Sequence, residues 1–209
     1  MKKISIVAFV LALIFCVTAF FGHDDYQIYS FKSKAEPILK DATLRTTSML
    51  NYSLGKSSIT YNELFDTGET SIKEIESNKL VLQSETNKYN EKESIAAISY
   101  LNACQDLLRA QISHSQTVLN YSILLRNMPE SYYSGGSWVY LRQLEKFNRD
   151  VKISEATKNI AQSTLFAYLY LLKVRSNELT PIYGAENIIS ESLLQELMDK
   201  NSPDLQKKK

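Results

Sequence analysis

The chain has 209 residues, 44% of them hydrophobic, which suffices for one domain of ordinary size with a buried core and excludes a disordered composition. Its 24 basic and 23 acidic residues leave a net charge of +1, so neither nucleic acid nor an anionic membrane surface is favoured as a partner on charge. The two cysteines, Cys16 in an apolar leader and Cys104 far downstream, exclude a disulfide scaffold.

Met1-Lys2-Lys3 is followed by Ile4 to Phe21, a run without a charged residue, and then by Asp24 and Asp25. Lysines before an apolar run and acids after it orient the segment with its N-terminus inside and the remainder exported. Eighteen residues of helix span about 27 Å, just enough for a hydrocarbon core of about 30 Å. The leader therefore reads as a transmembrane signal-anchor. A cleaved signal peptide is the alternative, because Val17-Thr18-Ala19 places modest side chains at the −3 and −1 positions of a site after Ala19. Leu13 ahead of Cys16 fits a lipidation site, but Phe15 is too bulky for the position before the cysteine.

Beyond the leader, glycine and proline are scarce: six and four in the whole chain. They are absent over 60 residues between Gly68 and Pro129 and over 44 between Gly136 and Pro181, intervals in which an all-β chain would need many turns. The fold class is therefore all-α, an up-down bundle of four to five long helices behind the N-terminal helix. Asp24 to Tyr52 aligns Ile28, Phe31, Ala35, Leu39 and Ala42 on one stripe, with Pro37 marking either a kink or a fresh helix start. Thr60 and Glu63 stand at capping-box spacing ahead of a second helix to Ser84, which Gly68 is expected to break or kink. In the third segment, Asn90 and Glu93 could cap a helix carrying Ala97, Leu101, Cys104, Leu108, Ile112 and Leu119, ended by Met128-Pro129.

Ser137 could cap a next helix with Tyr140, Leu144, Phe147 and Val151 on its stripe. Ile160 to Leu172 is the strongest apolar run outside the leader; too short to span a bilayer, it reads as the central core helix, stopping at Thr180-Pro181. A last helix is expected from Ala185 to Lys200 with Ile189, Leu193 and Leu197 inward. The stripes drift off strict heptads, which favours an intramolecular bundle over a coiled-coil dimer. The organisation that follows is a leader over residues 1–22, an extracytoplasmic bundle over 23–200 and a polar, disordered tail over 201–209.

The chain contains no HExxH, CxxC or CxxCH, no GxGxxG or P-loop and no GxSxG elbow, and its only histidines are His23 and His114. Zinc and covalent haem lack ligands, no cofactor is implied, and no catalytic residue is assigned. Ser53-Leu54-Gly55-Lys56 matches the SxxK form of penicillin-recognising enzymes in four letters only, without KTG. Cys104, on an apolar stripe, reads as a small buried hydrophobe.

The most unusual stretch is Met128 to Tyr140, with the only Trp and the only Gly-Gly pair. Aromatics beside a flexible turn bring contact area at small entropic loss, so Tyr132, Tyr133, Trp138 and Tyr140 form a candidate partner-binding loop. Alternatively these rings plug the end of the bundle. The expected function is a membrane-anchored or exported protein–protein interaction module of the cell envelope. It would be held to the membrane by its N-terminal segment, and would bind another envelope protein or itself. A sensor-like bundle for a small ligand is the alternative. The bulk of the chain is expected outside the cytoplasm, or secreted after cleavage near Ala19.

Overall fold

The computed structural model describes the backbone of residues 2–56, 60–129 and 138–201 and the side chains of residues 22, 24–52, 54–56, 60–129 and 138–200. The described residues form five α-helices: α1 (Lys2–Ser53), α2 (Tyr61–Ser84), α3 (Glu91–Arg126), α4 (Trp138–Tyr183) and α5 (Glu191–Asn201), with a 3₁₀ turn, Ala185–Asn187, before the last. No strand occurs among them. The leader continues without a break into the first bundle helix, so the expected boundary after residue 22 lies inside α1. Its side chains, and the tail over 202–209, fall outside the described residues. Among those that are described, no helix is long and apolar enough to cross a membrane.

Successive long helices reverse direction, as contacts at both ends of each pair show. Lys34 reaches Glu85 at 2.8 Å and Tyr52 meets Tyr61 edge-on, so α1 and α2 are antiparallel. Thr86 bonds Ser94, and Gln105 donates to the Ile72 carbonyl at 3.0 Å. The Tyr183 hydroxyl donates to the Glu93 carbonyl at 3.0 Å, and Lys158 lies over the Tyr121 ring.

The centre belongs to α3. Twelve of its side chains are buried, among them Ala97, Tyr100, Leu101, Cys104, Leu107 and Leu108, because α1 and α2 cover one side of it and α4 the other. Ile160–Leu172 was the expected centre, yet Ile160 is 68% and Tyr170 58% exposed. Only Leu165, Leu169 and Leu172 of that run enter the hydrophobic core. A run that is apolar on every side is not resolved by its own pattern into a buried and an exposed face; the neighbours decide. Four of the five residues of the α1 stripe, Phe31, Ala35, Leu39 and Ala42, are buried, and Ile28 is half-buried.

Local punctuation is partly overridden by burial. Pro37 lies within an unbroken α1, and Pro181 within the last turn of α4, which ends at Tyr183 rather than before the proline. In each case fully or nearly fully buried side chains stand on both sides, Ala35 and Leu39 or Leu179 and Tyr183, and their packing outweighs one missing hydrogen bond. The expected separate helices of 137–151 and 160–179 are one helix of 46 residues for the same lack of a true breaker. The chain turns at Gly184, whose φ of 83° falls in the left-handed region that glycine tolerates. The expected last helix is accordingly divided, its first residues forming the 3₁₀ turn.

The Thr60–Glu63 capping box is present, with the Thr60 amide donating to the Glu63 carboxylate at 2.7 Å and the Glu63 amide to the Thr60 hydroxyl at 3.3 Å. Asn90 does not cap α3 through its side chain. It turns back instead, accepting from the Asn87 amide at 2.9 Å and donating to the Glu85 carbonyl at 3.1 Å, which stitches the α2–α3 turn.

Gly68 neither breaks nor ends α2. It is the point of closest approach: a Cβ there would lie 2.8 Å from Ile112 Cδ1 and 2.9 Å from Met49 Cε. Both opposing atoms are the ends of flexible side chains. Gly68→Ala is therefore expected to stay within about 1 kcal/mol of the parent, helix propensity offsetting the crowding. Gly68→Val, whose branches cannot be accommodated by a tip movement, should destabilise by about 1–3 kcal/mol in urea unfolding. Equal midpoints for the two variants would refute the close-packing account.

Candidate functional site

Three regions carry polar or exposed features beyond ordinary packing: a buried hydroxyl chain, a set of surface grooves, and an extension of α3 and α4 beyond the core.

The hydroxyl chain ties the link before α5 to the bundle. The Ile189 amide donates to the Tyr100 hydroxyl at 3.1 Å. Tyr100 shares a 2.8 Å hydrogen bond with the Thr43 hydroxyl, and Thr43 donates to the Asn187 carbonyl at 2.9 Å. Because Thr43 spends its proton on Asn187, Tyr100 is the donor between the two hydroxyls. Asn187 donates in turn to the Tyr183 carbonyl at 2.7 Å. Cys104 lies beside this chain. Burial pushes its thiol up to about 12, against smaller pulls from the Thr46 and Tyr100 hydroxyls. Burial also raises the Tyr100 phenol well above its ordinary value. At neutral pH the cluster thus presents neither a thiolate nor a phenolate, and its chemistry is that of a clasp.

On the surface, an open groove of about 630 Å³ runs between α2 and α3, floored by Phe65, Ile72 and Ile112 and edged by Glu69, Lys73 and Arg109. A second, of about 450 Å³, lies between the start of α3 and the end of α4, with Ile95, Ala96, Arg175 and Ile182. A smaller cavity of about 220 Å³ sits in the elbow of α4 and α5, where Lys173 bridges to Glu191 at 3.1 Å. Among the described residues no group of three His, Cys, Asp or Glu side chains is placed to hold a metal ion.

The third region is the extension. No side chain of α3 is buried beyond Ser115, and none of α4 before Gln162. Continuing the antiparallel pairing of Tyr121 with Lys158, α3 ends level with about residue 152 of α4, and the first turns of α4 run past it. At the far end of that projection Trp138 is 81% exposed and Val139 64%, with Leu141 also exposed, whereas Tyr140 is half-buried. Tyr132 and Tyr133 lie outside the described residues.

Hydrophobic spacing gave no warning of the Tyr100–Thr43–Asn187 chain, since its members come from three elements. A weaker signal was available for the outside of α4: from Asn159 to Leu172 the sequence has no charged residue, more than a single buried face requires.

No known protein family matches the chain, and neither a curated protein nor a solved structure resembles it.

His114 marks where core gives way to extension. Half-buried on α3, its imidazole is held below the usual histidine value by burial and, secondarily, by the positive charge of Lys158 on α4. A depressed histidine favours the neutral ring in the folded state. Its contribution is complete above the ordinary value of 6.5 and is lost as pH falls through the lower folded value. The melting temperature of the parent should therefore drop on acidification below pH 6.5 more steeply than that of His114→Gln. Parallel pH profiles would dismiss this coupling.

Proposed function

We propose that the chain is a membrane-tethered or exported helical module of the cell envelope that binds another protein through the membrane-distal tip formed around Trp138. The single observation that carries this reading is the 81% exposure of the chain's only tryptophan. A large ring held in water at the end of a helical projection is the kind of anchor on which interfaces are built. The pattern of Lys2 and Lys3, an uncharged Ile4–Phe21 and then Asp24 and Asp25 supports the tether and its orientation. In α1 and α3, which run parallel, Thr43 is level with Tyr100, so the leader leaves the bundle at the end opposite the Trp138 tip. That polarity fits a module fixed at one end and presenting its contact surface at the other. Binding of a small ligand in the bundle interior draws less support, because Leu39, Leu64, Leu101, Leu108 and Leu165 fill that interior at 2% exposure or less.

Two measurements test the proposal. Envelope fractionation with intact-mass determination should recover the chain in the membrane beginning at Met1, or outside the cytoplasm beginning at Phe20; an intact chain dissolved in cytosol would end the envelope reading. With a photo-crosslinker at Tyr140, the parent should form one discrete adduct that Trp138→Ala loses. Unfolding free energy should meanwhile change by less than about 0.5 kcal/mol, as for other exposed positions. An adduct unaffected by Trp138→Ala would rule out the tip as the contact.

A further inference from the structure

The side of α4 facing away from α3 carries a second stripe. The residues that α4 buries, Gln162, Leu165, Leu169, Leu172, Ser176, Leu179 and Tyr183, recur in alternating steps of three and four and face the bundle. On the opposite side stand Ile153, Ala156, Ile160, Ser163, Ala167 and Tyr170, again in steps of three and four, and all six are exposed. The largest of them, Ile153, Ile160 and Tyr170, are 60%, 68% and 58% exposed.

This outer face differs from a solvated helix surface in two ways. From Ile153 to Tyr170 the stripe itself has no charge: the nearest charged positions by the same steps of three and four are Arg149 and Lys152 at its lower end and Lys173, paired with Glu191 of α5, beyond Tyr170. The hydroxyl of Ser163, and those of Thr157 and Thr164 at its edge, are also already satisfied within the helix. Ser163 donates to the Asn159 carbonyl at 3.0 Å, Thr164 to Ile160 at 2.9 Å and Thr157 to Ile153 at 2.9 Å. Covering the face would strand none of these donors and desolvate no ion. A helix apolar on both sides calls for a neighbour on both.

We infer that this face of α4 pairs with the same face of a second copy of the chain. The spacing is that of a two-stranded seam, with β-branched Ile153 and Ile160 alternating with the small Ala156 and Ser163, so that two such helices can approach closely. Pairing from Ile153 to Tyr170, about 27 Å of helix, removes roughly 600 Å² per copy, about 1,200 Å² in all, the lower end of the range for specific interfaces. The twofold arrangement needs no second kind of surface. The seam straddles the extension and the core-level part of α4, apart from the Trp138 tip, and leaves that tip free. The identity of the occupant does not depend on the tether; only the relative direction does. Two copies anchored in one membrane bring their α4 helices together in parallel, each residue meeting its own counterpart.

The test uses the full chain in its membrane with Cys16→Ser, since the remaining native cysteine, Cys104, is buried. Ile160→Cys and Ala167→Cys should each give a disulfide-linked dimer on mild oxidation, whereas Leu80→Cys, exposed on α2, should not. In detergent solution, Ile160→Glu should raise the dimer dissociation constant by at least about tenfold with the helical circular-dichroism signal unchanged, as expected for loss of a central contact. No crosslink from either stripe position or from a mixture of Ala156→Cys and Ala167→Cys chains, equal crosslinking from Leu80→Cys, or an adduct only with a different protein overturns the inference. Crosslinking that appears only when Ala156→Cys chains are mixed with Ala167→Cys chains would uphold the paired face as antiparallel, and would count against two copies sharing one membrane.

Discussion

Everything in the bundle is arranged around the need to cover both sides of α3. Alone, a helix with Ala97, Leu101, Cys104 and Leu108 on one side and Tyr100 and Leu107 on another would hold a wide apolar surface in water. The α1 and α2 hairpin removes one side and α4 the other, and the remaining elements inherit their positions from that. Gly68 is the sharpest expression of the constraint: α2 carries no side chain where Ile112 of α3 and Met49 of α1 must pass. Gln105 and Gln111 are admitted to the same interface with partners. Gln105 bonds the Ile72 carbonyl and the Glu76 carboxylate, and Gln111 donates to the Met49 carbonyl at 2.8 Å.

The clasp at Tyr100 solves a different problem. The chain leaves α4 at Gly184 and must return along the bundle through a link whose backbone groups are partly buried. An unpaired amide there would be a standing penalty of about 1–3 kcal/mol. Tyr100 accepts from the Ile189 amide and Thr43 donates to the Asn187 carbonyl, and α5 can then lay Leu194 and Leu197 on the core. The surface ion pairs nearby, such as Lys56 with Glu196 at 2.7 Å, are exposed and add little by comparison.

These arrangements leave the molecule with two ends and one bare side. Its interior is sealed by leucines, and its few titratable or nucleophilic interior groups are held protonated or bonded to backbone. What remains available for recognition is outside: the aromatic tip, the shallow grooves and the uncharged face of α4. This distribution gives the proposed tip and the inferred seam separate surfaces on one long helix.

The sequence by itself determined the helical class, the bundle stripe of α1, the capping box at Thr60 and the apolar face of α3, because each is written in local spacing and a helix registers local spacing directly. It could not say whether Pro37 and Pro181 end helices, since that depends on whether flanking side chains find a core. Nor could it say which side of the Ile160–Leu172 run faces inward, because both sides of that run are apolar. It misread Gly68 as a breaker and Asn90 as a side-chain cap for a shared reason: each residue's part is set by a neighbour, Ile112 and Met49 in one case and the Glu85–Asn87 backbone in the other. The exposure of Trp138 and the Tyr100 chain were likewise decided only by tertiary structure, which alone brings residues distant in sequence together or leaves a ring in water.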